Sequence, residues 1–317
     1  MTLKNLICFL LVVSIFSCFW IAKVFRGRSP ELKLKTENLE FFVTVPISGF
    51  TSSEIPCLNV EIGNKSFVAE LDLGFTGCVA VESKLLQEIE EKSFVSTNSI
   101  YGWRGKEYRE DVYKIPKIKI GKITFHDLFL NEQNPKFLAD TTIQGHELSQ
   151  AQGIVGLKLF KKSNLFLDLG HSKVLFCDSI ETLKKRGYPM DSFVKVPFFL
   201  NHGIIEVNAM TPNGPLRCFL DTGFTLNVLN TEGGQGESVE QPTLNLERVS
   251  KISPFQIGGK DFGEIAFYYL EIRLPIATEA ILGMEFFIKH QVFIDFAAGQ
   301  IYFAPIGEFS EIQARAQ

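Results

Sequence analysis

Two short turns of the sequence carry the residue types that acid–base chemistry needs. Asp72 lies within LDLGFTG at residues 71–77, and Asp221 lies within LDTGFTL at residues 220–226. Each aspartate follows an apolar segment typical of a strand, and each precedes a glycine by two positions. That glycine allows a sharp turn and lets the backbone approach closely enough for its N–H to bind a carboxylate oxygen.

Two such turns facing each other would form a catalytic carboxylate pair. At about 3 Å separation the two groups cannot both ionise readily, so they share one proton. The ionised member takes a proton from a bound water that attacks a carbonyl, and the protonated member donates to the developing oxyanion. We therefore predict Asp72 and Asp221 as catalytic, with no metal and no cofactor. The alternative is a pair of ordinary turn aspartates in a tandem β protein.

Further segments recur in the same order after each aspartate, which indicates an internal duplication. The same interval of 12 residues separates Gly156 from Asp168 and Gly283 from Asp295. Asp168 and Asp295 themselves precede turn residues, so we interpret them as structural. The recurring pairs are IKIGKITF (118–125) with FQIGGKDF (255–262), GIVGLKLF (153–160) with AILGMEFF (280–287), and LFLDLGHSKVLF (165–176) with VFIDFAAGQIYF (292–303).

The remaining pattern predicts a mainly β protein. Short runs rich in Val, Ile and Phe alternate with glycine and proline along the body, and long stretches of helical period are scarce. Helices are expected over residues 82–92 and 178–186. The second begins with a capping-box pattern at Asp178 and Glu181 and ends before Gly187. It is placed to join the two halves.

The two aspartate turns resemble the active-site turns of clan AA aspartic peptidases, and D-x-G-F-T-G is similar to the bacterial and archaeal retropepsin-like branch. The resemblance spans about residues 55–305 and implies a two-lobed pepsin-like acid protease fold, each lobe a retropepsin-like β barrel. It also implies supporting roles for residues of the turns and of two apolar-apolar-Gly bracing elements. These residues are Leu73, Gly74, Thr76, Thr222, Gly223 and Thr225 in the turns, and Ile154, Val155, Gly156, Ile281, Leu282 and Gly283 in the bracing elements.

One residue departs from the family pattern. The family has Thr or Ser after each catalytic aspartate, and these two hydroxyls bond the backbone of the opposite turn. Thr222 is able to make its half of this cross-tie, whereas Leu73 cannot. This departure leaves open a second function, a pseudo-peptidase that binds extended peptides by β-augmentation without cutting them.

The segment at residues 99–113, SIYGWRGKEYREDVY, is a candidate flap over a bound peptide. Tyr101, Trp103 and Tyr108 are its candidate lid residues, and the alternative is that these aromatic side chains cover a neighbouring core edge. Scattered histidines without an H-E-x-x-H pattern make a zinc site improbable. Interspersed charges with a net charge of −4 give no basic stripe for nucleic acid.

The first 28 residues predict a membrane anchor. Residues 6–22 carry no charge and the apolar run continues beyond Lys23, which is long enough to span a bilayer. A cleaved signal peptide is the rival interpretation, and the flanking charges leave the side of the membrane open. We thus expect a single-pass anchor at 1–28, a first lobe at 29–187 and a second lobe at 188–317. The expected partners are a peptide or protein substrate and the membrane, with the protein monomeric because one chain holds both lobes.

Overall fold

The computed structural model describes residues 42–46, 55–102, 105–134, 151–161, 163–231, 245–273 and 279–306. In those ranges the protein is mainly β. No helix among these residues is long and apolar enough to cross a membrane, and the predicted anchor at 1–28 lies outside them.

The strands of the first half occupy the following ranges: β1 Phe42–Pro46, β2 Cys57–Ile62, β3 Lys65–Asp72, β4 Val79–Glu82, β5 Ser93–Tyr101, β6 Glu107–Ile120, β7 Ile123–Gln133, β8 Gly153–Gly156, β9 Asn164–Asp168 and β10 Lys173–Cys177. Those of the second half are β11 Val194–Pro197, β12 Phe199–Asn201, β13 Ile204–Thr211, β14 Gly214–Leu220, β15 Val228–Asn230, β16 Asn245–Ile252, β17 Gln256–Ile257, β18 Lys260–Asp261, β19 Ile265–Leu270, β20 Ala280–Leu282, β21 His290–Asp295 and β22 Gln300–Pro305. The helices are α1 Ser83–Glu88, α2 Leu157–Phe160, α3 Ile180–Lys185 and α4 Met284–Phe287, with 3₁₀ turns at Leu169–His171 and Met190–Ser192.

The first half forms a seven-stranded sheet, the first-half sheet, in the order β2-β3-β8-β4-β7-β6-β5. An additional pairing of β2 with β6 closes this sheet into a barrel. Alternate residues of its strands, such as Leu58, Leu71 and Leu130, are fully buried. This period of two puts one set of side chains in the barrel core and the other on the opposite face.

The second half repeats this arrangement in a nine-stranded sheet, the second-half sheet. Its path runs β16-β19-β15-β20-β14-β13-β17-β18, with β12 beside β13. The strand before Asp221 pairs in parallel with β20, as the strand ending at Asp72 pairs in parallel with β8. The duplication read from the sequence is therefore present in the strand pairing.

A third sheet, the shared sheet, takes strands from both halves in the order β1-β10-β9-β21-β22-β11. Its two central strands are antiparallel, with Phe166 opposite Phe293. These two rings are fully buried and belong to one core cluster with Tyr302 and Leu175. Hydrogen bonds and apolar packing thus join the halves at the centre of the molecule.

Both predicted helices are shorter than expected. Helix α1 ends at Glu88, because Ile89 adopts an extended conformation and buries its side chain. Helix α3 has Ser179, rather than Asp178, as its N-cap, and the Ser179 hydroxyl accepts the Thr182 N–H at 3.3 Å. Gly187 follows α3 with a positive φ of 86°, as expected of a glycine after a helix.

Candidate active site

Asp72 is the last residue of β3, opposite Gly156 of β8. Its Oδ1 accepts hydrogen bonds from the Gly74 N–H at 2.7 Å and the Phe75 N–H at 2.9 Å. The turn after the strand therefore aims two backbone donors at one carboxylate oxygen. This is the arrangement that the Asp-x-Gly pattern predicts.

Asp221 directly follows β14, and its carboxylate accepts one N–H group of its own turn. Its N–H donates to the Leu282 carbonyl at 3.1 Å, and its Oδ1 accepts the Gly223 N–H at 2.8 Å. The sheet hydrogen bond extends the pairing with β20 by one residue. The backbone consequently fixes the position of this carboxylate too.

The two turns face each other, and each glycine lies against the opposite carboxylate. A Cβ added to Gly74 would lie 2.5 Å from Asp221 Oδ2, and one added to Gly223 would lie 2.6 Å from Asp72 Cγ. The two carboxyl groups are in hydrogen-bond contact with each other. Both aspartates nevertheless keep some accessible surface.

The electrostatics of the pair favour one retained proton. Burial raises the pKa of Asp72 well above its usual value, and the neighbouring charge of Asp221 raises it further. Burial also raises the pKa of Asp221, while the Gly223 N–H opposes that rise. Both pKa values are shifted upward, so the two carboxyl groups titrate as a pair that retains one proton between them.

The bracing elements hold the two turns from behind. In the first half the Gly156 N–H donates to the Cys78 carbonyl at 2.9 Å, and a Cβ on Gly156 would lie 2.4 Å from the Phe75 oxygen. A Cβ on Gly283 would lie 2.2 Å from the Leu226 oxygen. Glycine is therefore required at both positions, because the bracing strand touches the turn backbone. The apolar residues before these glycines, Ile154, Val155, Ile281 and Leu282, are all buried.

A polar pair behind the second turn was not predicted from the sequence. Asn227 Oδ1 accepts the Gly283 N–H at 3.0 Å, which replaces the carbonyl contact made in the first half. The Asn227 amide donates to the Ala266 carbonyl at 3.2 Å and to Glu285 Oε2 at 3.4 Å. Burial raises the pKa of Glu285. The one available signal in the sequence was Asn227, an amide residue directly after the turn motif.

Of the remaining turn residues, Thr222 and Leu73 lie at the contact between the halves. The Thr222 hydroxyl accepts the Leu73 N–H at 3.0 Å and donates to the Leu71 carbonyl at 2.6 Å. The Leu73 side chain is fully buried. Thr76 is exposed beside Gly203, and the Thr225 carbonyl accepts the Glu285 N–H at 3.2 Å.

The candidate flap is a hairpin of β5 and β6. Tyr101 is 42% exposed, Tyr108 is 6% exposed, and Trp103 lies outside the described residues. Tyr108 therefore packs inward from the hairpin. At the tip, a Cβ on Gly105 would lie 2.6 Å from the carbonyl oxygen of Arg273, so the hairpin reaches the second half of the chain. This contact had no signal in the sequence.

Comparison with known proteins supports the fold. No protein-family model matches the chain, and no curated protein sequence matches it. The crystal structure of basic 7S globulin from soybean is similar to this protein with a TM-score of 0.57 at 11% identity, over 86% of this chain and 97% of that one. An identity this low shows a common mainly β architecture alone.

Proposed function

We propose that this protein is an aspartic endopeptidase of the two-lobed, pepsin-like kind, with Asp72 and Asp221 as its catalytic pair. The observation that carries the proposal is the reciprocal contact of the two turns. Each carboxylate accepts at least one N–H group of its own turn and lies against the glycine of the other turn. Ordinary turn aspartates have no reason to be buried together, because two adjacent carboxylates are costly to ionise.

The mechanism follows from this geometry. The ionised aspartate of the pair takes a proton from a water molecule between the carboxylates, and the water oxygen attacks the scissile carbonyl. The protonated aspartate donates its proton to the carbonyl oxygen as the tetrahedral intermediate forms. The aspartate that took the proton from water then transfers it to the leaving nitrogen, the C–N bond breaks, and a hydroxyl of the intermediate returns a proton to the other aspartate. The N–H donors of the turns keep both carboxylates in place throughout.

One further feature favours a peptide as substrate. The hairpin of β5 and β6 belongs to the first-half sheet and approaches Arg273 at Gly105, so it reaches the second half of the chain. Arg273 itself is held by Glu271, with 2.8 Å between Nε and Oε1. A hairpin over a cleft is suited to an extended chain, which it can cover along several residues.

We also propose that residues 1–28 anchor the protein in a membrane, with lobes at 29–187 and 188–317. The apolar run at residues 6–22 supports this part of the proposal. Carbonate extraction of membranes that contain the full chain tests it. An integral protein stays in the pellet, whereas release into the supernatant contradicts an anchor.

Cleavage of a peptide library by the full chain tests the proposed activity. Mass spectrometry should detect internal cleavage that a statine-type transition-state mimic inhibits and that Asp72→Asn abolishes. Peptide binding without any cleavage would contradict the proposal. That outcome would instead support a peptide-binding pseudo-peptidase.

A further inference from the structure

The bracing glycines of the two halves donate to different kinds of acceptor. The Gly156 N–H donates to the main-chain carbonyl of Cys78 at 2.9 Å. The Gly283 N–H donates instead to the side-chain Oδ1 of Asn227 at 3.0 Å. Cys78 and Asn227 are equivalent positions, because each follows the aspartate of its own turn by six residues. In the second half, therefore, a side chain makes a bond that the backbone makes in the first half.

The bond to Asn227 acts on Asp221 through a single peptide group. The Leu282 carbonyl accepts the Asp221 N–H at 3.1 Å, and the N–H of that same peptide group belongs to Gly283. Because a peptide group is planar and rigid, its carbonyl and its N–H cannot turn separately. Asn227 binds one side of this group and Asp221 binds the other. Loss of the Asn227 bond would therefore release the peptide group that positions Asp221.

The direction of the Asn227 amide is itself fixed. Its Nδ2 donates to the Ala266 carbonyl at 3.2 Å and to Glu285 Oε2 at 3.4 Å. Both partners are acceptors, so an exchange of the amide oxygen and nitrogen would bring oxygen against oxygen. The Asn227 side chain is 3% exposed, and a lost partner would leave a buried polar group unsatisfied. Ala266 and Glu285 together thus direct Oδ1 toward Gly283.

Glu285 connects this amide to the active-site turn. Its Oε2 also accepts the Asn227 N–H at 3.4 Å, and its own N–H donates to the Thr225 carbonyl at 3.2 Å. The equivalent residue of the first half, two positions after the bracing glycine, is Lys158, whose side chain has no acceptor. This side-chain support therefore belongs to the second turn and has no equivalent behind the first.

We infer that Asn227 is a positioning residue for Asp221 and that Glu285 is the acceptor that orients Asn227. The inference rests on the proposed peptidase function, because Asp221 is a member of its catalytic pair. It adds two residues that do not contact the reacting atoms and on which the alignment of the pair depends.

Steady-state kinetics of peptide cleavage by the full chain test this inference. Asn227→Leu should lower kcat about tenfold or more and leave KM within about twofold, because it displaces a reacting group and touches no substrate. Glu285→Leu should lower kcat in the same way. Glu285→Gln should lower kcat by less than about threefold, because the glutamine oxygen still accepts from Asn227.

Asn230→Leu is the matched control. Asn230 lies at the end of β15, where its Nδ2 donates to the Ile272 carbonyl at 3.1 Å and its Oδ1 accepts the Ile272 N–H at 2.8 Å. The control variant loses amide bonds of the same kind, but none of them goes to a bracing glycine. It should lower the melting temperature and leave kcat unchanged. An equal loss of kcat in Asn230→Leu and Asn227→Leu would overturn the inference.

A double variant tests whether Glu285 acts through Asn227. Asn227→Leu combined with Glu285→Leu should have a kcat within about twofold of Asn227→Leu alone, because no amide is left to orient. Losses that multiply would overturn the role of Glu285. If Asn227→Leu does not fold, the partly exposed Glu285 provides the test, and wild-type kcat in Glu285→Leu would overturn the inference.

An NMR titration of the aspartate carboxyl groups separates failure of the inference from failure of the proposed function. It uses the full chain in detergent micelles. If wild type cleaves no peptide, but Asn227→Leu shifts the titration of the Asp72–Asp221 pair and Asn230→Leu does not, the peptidase function fails and the positioning role holds. If wild type cleaves and Asn227→Leu keeps its kcat, the inference fails and the peptidase function stands. No cleavage and no shift would overturn both.

Discussion

The Thr222 hydroxyl binds the backbone on both sides of Asp72, since it accepts the Leu73 N–H at 3.0 Å and donates to the Leu71 carbonyl at 2.6 Å. Thr222 lies in the second half of the chain and the two bonded groups lie in the first. Leu73, the residue that corresponds to Thr222, has an aliphatic side chain and cannot return these bonds. The hydroxyl tie between the two turns is therefore one-directional.

Thr222→Val should destabilise the protein because it keeps the shape of the side chain and removes both hydrogen bonds. The Leu73 N–H and the Leu71 carbonyl would remain buried without this partner, at a cost of about 1–3 kcal/mol for each group. Chemical denaturation measures the free energy of unfolding, and kcat should fall as the turns loosen. Thr76→Val, at an exposed position of the first turn, is the control. Equal effects of the two variants would mean that the tie contributes nothing.

Leu73→Ala should destabilise the protein by about 2–4 kcal/mol, because the removed side chain is fully buried. Leu73→Met is the matched control, since it conserves volume and should cost less than about 1.5 kcal/mol. Thermal unfolding of both variants gives the comparison. If Leu73→Ala unfolds at the wild-type temperature, apolar packing does not replace the missing hydroxyl at this turn.

Gly223→Ala should abolish activity, because the added Cβ would lie 2.6 Å from Asp72 Cγ and displace that carboxylate. A misplacement of about 1 Å is enough to lower the rate by about 10²-fold. Gly74→Ala should have the same effect through Asp221, since the contacts of the two glycines are reciprocal. Peptide-cleavage assays on both variants test this prediction. Wild-type turnover in either one would mean that the turns do not approach as described.

Glu110→Gln should stabilise the protein at alkaline pH and not at acidic pH. Burial raises the pKa of Glu110 to about 7 from its usual 4.5, so the folded state holds the proton more strongly than the unfolded state. That stabilisation is complete below pH 4.5 and is lost as the pH rises to about 7. The glutamine keeps an acceptor for Asn131 and carries no charge. It should therefore raise the free energy of unfolding at pH 8 by up to about 3 kcal/mol.

Unfolding curves of wild type and Glu110→Gln at pH 4 and pH 8 measure this difference. The exposed Glu91→Gln is the control and should show no comparable dependence on pH. A gain that is the same at both pH values would contradict the assignment of a buried, ionisable carboxylate at position 110.

Local patterns predicted the parts of the site that the backbone determines. Each aspartate of an Asp-x-Gly motif accepts an N–H group of its own turn. Each bracing glycine contacts the backbone of the turn in its own half, as the repeated motifs indicated. The paired hairpins also follow from short apolar runs separated by glycines. These features depend on residues close in sequence and on glycine geometry, which explains their predictability.

Contacts between segments that are distant in the chain could not be predicted from the sequence pattern. Phe166 pairs with Phe293, and nothing in the sequences of these two strands predicts that they are neighbours in one sheet. Glu110 lies in the charged run EYRED, which reads as a solvated strand, yet its side chain is buried against Asn131. The contact of Gly105 with Arg273 likewise arises from how the hairpin lies across the molecule.

The most direct test of the central claim is the pH dependence of peptide cleavage by wild type, Asp72→Asn and Asp221→Asn. Wild-type kcat/KM should fall as the pH rises and the shared proton of the pair is lost. Each asparagine variant should lose about 10³-fold or more of this activity, because an amide can neither accept nor donate the required proton. Both variants should remain folded by circular dichroism. Wild-type turnover in either variant would contradict the assignment of Asp72 and Asp221 as a catalytic pair.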